Sequence, residues 1–126
     1  RQGAMKITKI LSSVLFLLLL SITVQGEIFF GKVVGVKDGD TIVVMKDGAP
    51  VIIRLNGIDC PENGQDFGTK AKQATSELCF NKFVKVEVKE LDRYGRTVAT
   101  IILPDGKNLN EELVKSGLAR LRAFCD

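Results

Sequence analysis

Four short runs hold most of the side chains that could do chemistry: Asp38-Gly39-Asp40-Thr41, Arg54 within IIRLNGI, Asp59-Cys60-Pro61-Glu62, and Asp92-Arg93-Tyr94-Gly95-Arg96. Taken singly, each has a plain reading: a turn, an ion-paired strand arginine, a proline turn and a basic loop. The run around Cys60 leaves three chemistries open: a surface turn, a redox-active cysteine, or half of a metal site. Flanking carboxylates disfavour a thiolate, which counts against the redox reading. The chain has no histidine, and Cys60, Cys79 and Cys125 stand 19 and 46 residues apart with no C-x-x-C. These facts argue against a tetrahedral zinc site and remove every mechanism that needs an imidazole. Carboxylates and arginines remain as the working groups.

The elements that must position them are short. Residues 28–36 and 41–46 are β-branched runs with Asp38-Gly39 between them, and Asp47-Gly48 before PVIIRLNGI is a hairpin signal. From Asp66 to Phe80 the period changes. Phe67, Ala71, Ala74 and Leu78 form the stripe of an amphipathic helix, and Cys79 is expected there as a buried thiol. FVKVEVK at 83–89 alternates as a half-buried strand, and the turn at 92–96 leads into TVATIIL. Asn108 with Glu111 reads as a capping box and Gly117 as the helix end, followed by a final strand, LARLR. The order β-β-β-α-β-β-α-β predicts a mainly β chain with helices (α+β), folded as an OB-type five-stranded Greek-key barrel.

Residues RQGAM read as a translation remnant. Lys6 and Lys9, the charge-free stretch Ile10 to Val24, and Gly26 then describe a signal peptide, so residues 1–26 are set apart from a domain at 27–126. The product is expected to be secreted or periplasmic, and membrane-anchored only if the leader stays uncleaved. Three of the eighteen basic residues, Arg1, Lys6 and Lys9, belong to that leader, which leaves fifteen against fifteen acidic ones. Global charge therefore gives no support to nucleic-acid binding, and only clustering can. A Cys79–Cys125 disulfide is possible on sequence grounds, and no stable partner is evident, so a monomer is expected.

From about Gly31 to Arg122 the chain resembles the staphylococcal-nuclease-like (thermonuclease) family. The resemblance rests on D-G-D-T, R-L-x-G-I-D-x-P-E, the alanine-bearing helix, D-R-Y-G-R, and N-E-x-L-V-x-x-G-L-A at 110–119, in that order. It implies an OB-type barrel with attached helices that hydrolyses DNA and RNA phosphodiester bonds with Ca²⁺, leaving 3′-phosphates. It further implies that Asp40, Asp59 and the Cys60 backbone carbonyl hold the metal. Arg54 and Arg96 would hold the scissile phosphate, Glu62 would act on the attacking water, and Arg93 and Tyr94 would contact the nucleotide.

Elementary chemistry agrees with that division. A phosphodiester is an anion, so attack by water needs its oxygens neutralised, which a hard cation and two guanidinium forks can do. Ca²⁺ accepts six to eight oxygen ligands in loose geometry, leaving places for water and substrate. Pro61 fixes the turn between Asp59 and Glu62 and so aims the two carboxylates differently. The rival expectation is a noncatalytic OB-type module that binds nucleic acid or protein.

Overall fold

The computed structural model describes residues 26–122, so the leader expected at 1–26 and Cys125 fall outside it, apart from Gly26. Five strands close a barrel in the order β1-β2-β3-β6-β5, built from β1 (Ile28–Asp38), β2 (Thr41–Lys46), β3 (Ala49–Leu55), β5 (Phe83–Leu91) and β6 (Thr97–Ile102). A short pair lies beside it, β4 (Ile58–Asp59) with β7 (Arg120–Leu121). Helix α1 is Gly68–Cys79 and α2 is Leu109–Lys115. This is the expected mainly β barrel with helices.

Closure depends on β1. Its first half pairs with β5 from Ile28 to Lys32, and its second half with β2 from Val33 to Asp38, with register shifts at Val33/Gly35 and Val36/Asp38. Gly31 lets the two walls meet, because a Cβ there would lie 2.0 Å from the Met45 carbonyl oxygen. β3 and β6 run parallel for three residues, Ile53 to Leu55 against Thr97 to Ala99, and complete the circle. Inside sit Val33, Ile42, Val44, Ile53, Val86 and Ile101, all fully buried. Asp47 and Gly48 both have positive φ, the conformation that the two-residue hairpin before β3 demands.

Three sequence expectations need correction. The run PVIIRLNGI is not one strand: Gly57, at φ 77°, breaks it into β3 and β4. The helix expected from Asp66 to Phe80 starts at Gly68 and ends at Cys79. Phe67 is its left-handed N-cap rather than part of the buried stripe, and it is 64 % exposed with Lys70 Nζ 5.6 Å from its ring centre. The buried face is Gly68, Ala71, Thr75 and Cys79, flanked by the partly buried Ala74 and Leu78. Cys79 is a free thiol, fully buried as expected. In α2 the Asn108 side chain accepts a hydrogen bond from the Glu111 amide, and Gly117 follows the helix at φ 78°. Among the described residues no helix is long and apolar enough to cross a membrane.

Candidate active site

Arg54 organises the site. It alternates with Ile53 and Leu55, whose side chains enter the barrel, so it projects from the outer surface, yet it is only 8 % exposed. Its Nη1 donates to the Leu55 carbonyl at 2.9 Å. Nη2 donates to Asp59 Oδ1 at 2.5 Å and lies 3.5 Å from Asp40 Oδ2. One guanidinium thus stands between a carboxylate from the β1–β2 turn and another from β4.

The carboxylate of Asp40 is fixed on both oxygens. Oδ2 accepts the Cys60 amide at 3.0 Å and Oδ1 accepts the Thr41 hydroxyl at 3.1 Å. Its main chain is held as well, since the Asp40 carbonyl accepts the Leu55 amide at 2.8 Å. The turn beneath is clamped by α1. Thr75, fully buried, donates its hydroxyl to the Gly39 carbonyl at 2.5 Å, and a Cβ on Gly39 would lie 2.8 Å from the Ala71 Cβ and 2.9 Å from the Cys60 Cβ. Sequence reasoning missed Thr75. A hydroxyl at 3.6-residue spacing with Ala71 and Cys79 was the available signal, because a polar group on an apolar face needs a partner.

Cys60 is half-buried, and its thiol is pushed up to about 12 by burial and by the Asp40, Asp59 and Asp38 carboxylates, with Arg54 opposing. After it, Pro61 leads into a tight turn in which the Glu62 amide donates to Gln65 Oε1 at 2.9 Å and the Gln65 amide donates to the Glu62 carbonyl at 2.9 Å. Gly68 is required below that turn, as a Cβ there would fall 1.9 Å from the Glu62 carbonyl oxygen. The Glu62 side chain is exposed and makes no hydrogen bond or ion pair among the described residues. With Asp59 and Cys60 it lines a cleft of about 470 Å³ whose other wall runs from Gly117 to Arg120.

The remaining expected residues form a second set on the β5–β6 turn. Asp92 is its hub: Oδ1 accepts the amides of Tyr94 and Arg96, each at 2.9 Å, and Oδ2 accepts Arg96 Nε at 2.7 Å. Desolvation raises the Asp92 pKa, but the hydrogen bonds from Arg96 and Tyr94 outweigh it and hold the carboxyl below its usual value. Tyr94, 71 % exposed, has the Arg93 and Arg96 guanidinium carbons 5.2 and 5.6 Å from its ring centre. No hydrogen bond or ion pair joins this set to Asp40, Arg54, Asp59 and Cys60 among the described residues. The parallel pairing of β3 and β6 relates them instead, for it sets Arg54 opposite Val98, two residues beyond Arg96.

Beside the Cys60 thiol, which burial and the neighbouring carboxylates keep protonated, the first set offers a metal oxygen donors. Asp40, Asp59 and the Cys60 carbonyl match a hard divalent cation, while the described residues hold no cluster of three or more His, Cys, Asp or Glu side chains able to bind one. Oxygen donors of this type are those that Ca²⁺ takes.

Residues 52–126 match the family model described as staphylococcal nuclease homologue. A micrococcal nuclease of Shigella flexneri is 41 % identical over 99 residues, spanning 72 % of this chain and 57 % of that protein. A thermonuclease of Staphylococcus hyicus is 42 % identical over 102 residues, spanning 74 % and 59 %. The Escherichia coli protein called ParB is 42 % identical over 97 residues, spanning 71 % and 55 %. The chain thus spans little more than half the length of these relatives.

Proposed function

The chain belongs to the staphylococcal nuclease homologue family, and from that premise we propose that it is a Ca²⁺-dependent endonuclease, exported by its leader, that hydrolyses DNA and RNA and leaves 3′-phosphates. The observation that carries this reading is Arg54, almost buried and shared between Asp40 and Asp59, the second of which lines one cleft together with Glu62. A noncatalytic binding surface has no evident use for an exposed carboxylate where a polyanion must approach.

In this reading Asp40, Asp59 and the Cys60 carbonyl would hold Ca²⁺, which would supply positive charge to the phosphate oxygens. Arg54 turns part of its fork from the carboxylates to the scissile phosphate, and Arg96 approaches the same phosphate from the β5–β6 turn. Both neutralise charge that grows as water adds to phosphorus. Glu62 accepts a proton from that water or orients it, and its freedom from protein partners leaves both oxygens available. The 5′-oxygen leaves and the phosphate stays on the 3′ side. Tyr94 and Arg93 give the adjoining nucleotide an aromatic face and a cation.

The test is digestion of heat-denatured DNA and of RNA with Ca²⁺, with EDTA in the control. Cleavage that requires Ca²⁺ and yields 3′-phosphate ends is the expected result. Binding of either polymer without metal-dependent cleavage would replace the enzyme with a noncatalytic module.

A further inference from the structure

Five arginines lie on or near the two functional sets, and four are already engaged, Arg93 by the face of the Tyr94 ring. Arg54 is held by Asp40 and Asp59, Arg96 by Asp92, and Arg122 Nε lies 3.9 Å from Asp59 Oδ2. Arg120 differs. It is exposed, and its side chain makes no hydrogen bond or ion pair among the described residues.

Its position makes that unusual. In the β4–β7 pair Arg120 stands directly across from Asp59, and opposite charges facing one another on antiparallel strands ordinarily pair. Asp59 is instead taken by Arg54 on one oxygen and approached by Arg122 on the other. Arg120 is left as an uncommitted guanidinium on the wall of the cleft that faces Asp59 to Glu62. Gly117 and Ala119 on the same wall carry little or no side chain, which leaves width for an extended backbone.

Resting on the nuclease reading above, we propose that Arg120 forms a phosphate subsite. It binds a phosphate neighbouring the scissile one and so fixes the path of a single-stranded polynucleotide along the cleft. The planar fork suits a phosphate, and no existing ion pair has to be broken to bind it. Arg120 acts on substrate binding and not on the chemical step.

The experiment measures binding of a fluorescein-labelled single-stranded DNA oligonucleotide to the full chain in EDTA, by anisotropy across a salt series. Arg120→Gln should weaken binding several-fold and flatten the plot of log affinity against log salt by about 0.7, the loss of one phosphate contact on a single strand. Arg120→Lys should keep the wild-type slope. In Ca²⁺, Arg120→Gln should raise KM and leave kcat within twofold. A Gln variant with the wild-type slope overturns the subsite, and so does a wild-type chain that fails to bind the oligonucleotide. Wild-type binding without Ca²⁺-dependent cleavage overturns the nuclease reading alone, because the slopes still decide the role of Arg120.

Discussion

Arg54 and Arg96 are both gripped by carboxylates, but by different means. Arg54 is held by Asp40 and Asp59, which reach it from the β1–β2 turn and from β4, and its side chain is 10 % exposed. Arg96 is held by Asp92, four residues earlier in the same turn, and is 34 % exposed. The first arrangement exists only when β1, β3, β4 and α1 are all in place. The second is local, and needs only a five-residue turn to close. Position at the first site is therefore a property of the whole fold, while at the second it depends on the charge of one aspartate.

The largest test of that contrast is removal of each arginine. Arg54→Ala and Arg96→Ala should each lower kcat by roughly 10³ to 10⁵, the range attributed to a phosphate-clamping arginine. Lysine should rescue neither fully, since a point charge cannot reproduce the fork. The two should separate in thermal unfolding. Arg54→Ala removes the cation that Asp40 and Asp59 share and should lower Tm, whereas Arg96→Ala should change it little. Equal Tm values would erase the distinction between fold-held and turn-held arginines.

Glu62→Gln comes next, with an expected loss of roughly 10² to 10⁴ in kcat, the contribution of general acid–base catalysis. Its Tm should match the wild type because the side chain is exposed and unpartnered. A wild-type kcat would remove Glu62 from the mechanism.

Asp92→Asn should cost up to about 10²-fold in kcat/KM by loosening the placement of Arg96. It should also change how stability depends on pH. The folded Asp92 carboxyl has a depressed pKa, so the unfolded chain takes up its proton first as pH falls. Its contribution is present above the unfolded pKa and is lost as pH drops through the folded one. Urea unfolding should show the wild type ahead of Asp92→Asn at neutral pH and the gap closing in acid. A constant gap would mean that the Asp92 charge does not hold the turn.

Turns and caps were legible in the sequence because they depend on local order, and contacts between distant segments were not. The four polar clusters, the Asp47-Gly48 hairpin and the Asn108 cap follow from residue type and spacing, and each stands where the sequence puts it. The helical stripe did not survive intact. Phe67 has the right spacing and hydrophobicity, but its left-handed backbone turns it to solvent, and apolar periodicity carries no information about φ. The two-residue strand β4 has too few residues for any alternation, so only its pairing with β7 reveals it. Thr75 fell outside the stripe because the stripe was drawn through apolar residues, whereas the packed face accepts a hydroxyl once the Gly39 carbonyl is there to take its hydrogen.

Thr75→Val tests the fold-held site from below. It keeps the side-chain shape and leaves the Gly39 carbonyl without its donor, which should cost about 1 to 3 kcal/mol in urea unfolding. Thr75→Ser keeps the hydroxyl and should recover part of that loss. The Val variant should also exchange the Cys60 amide faster in deuterated buffer, because the Asp40 carboxylate that receives it is set by the clamped turn. Unchanged exchange at Cys60 would confine Thr75 to packing.

The smallest effect is expected at the most conspicuous residue of the opening motif. Cys60 lies among Asp40, Asp59 and Arg54, yet what it gives the site is main chain: an amide to Asp40 and, in the proposed mechanism, a carbonyl to the metal. Its thiol, pushed up to about 12, holds almost no thiolate at neutral pH and is a poor nucleophile. Cys60→Ala should therefore keep nuclease activity within about twofold, since it preserves both main-chain groups and removes a single sulfur atom. Iodoacetamide at pH 7 should leave the folded wild type unmodified at this position, as read by mass spectrometry. A large loss of activity in the alanine variant, or rapid alkylation, would put the sulfur back into the mechanism and make the fold-held set a chemical site of a different kind.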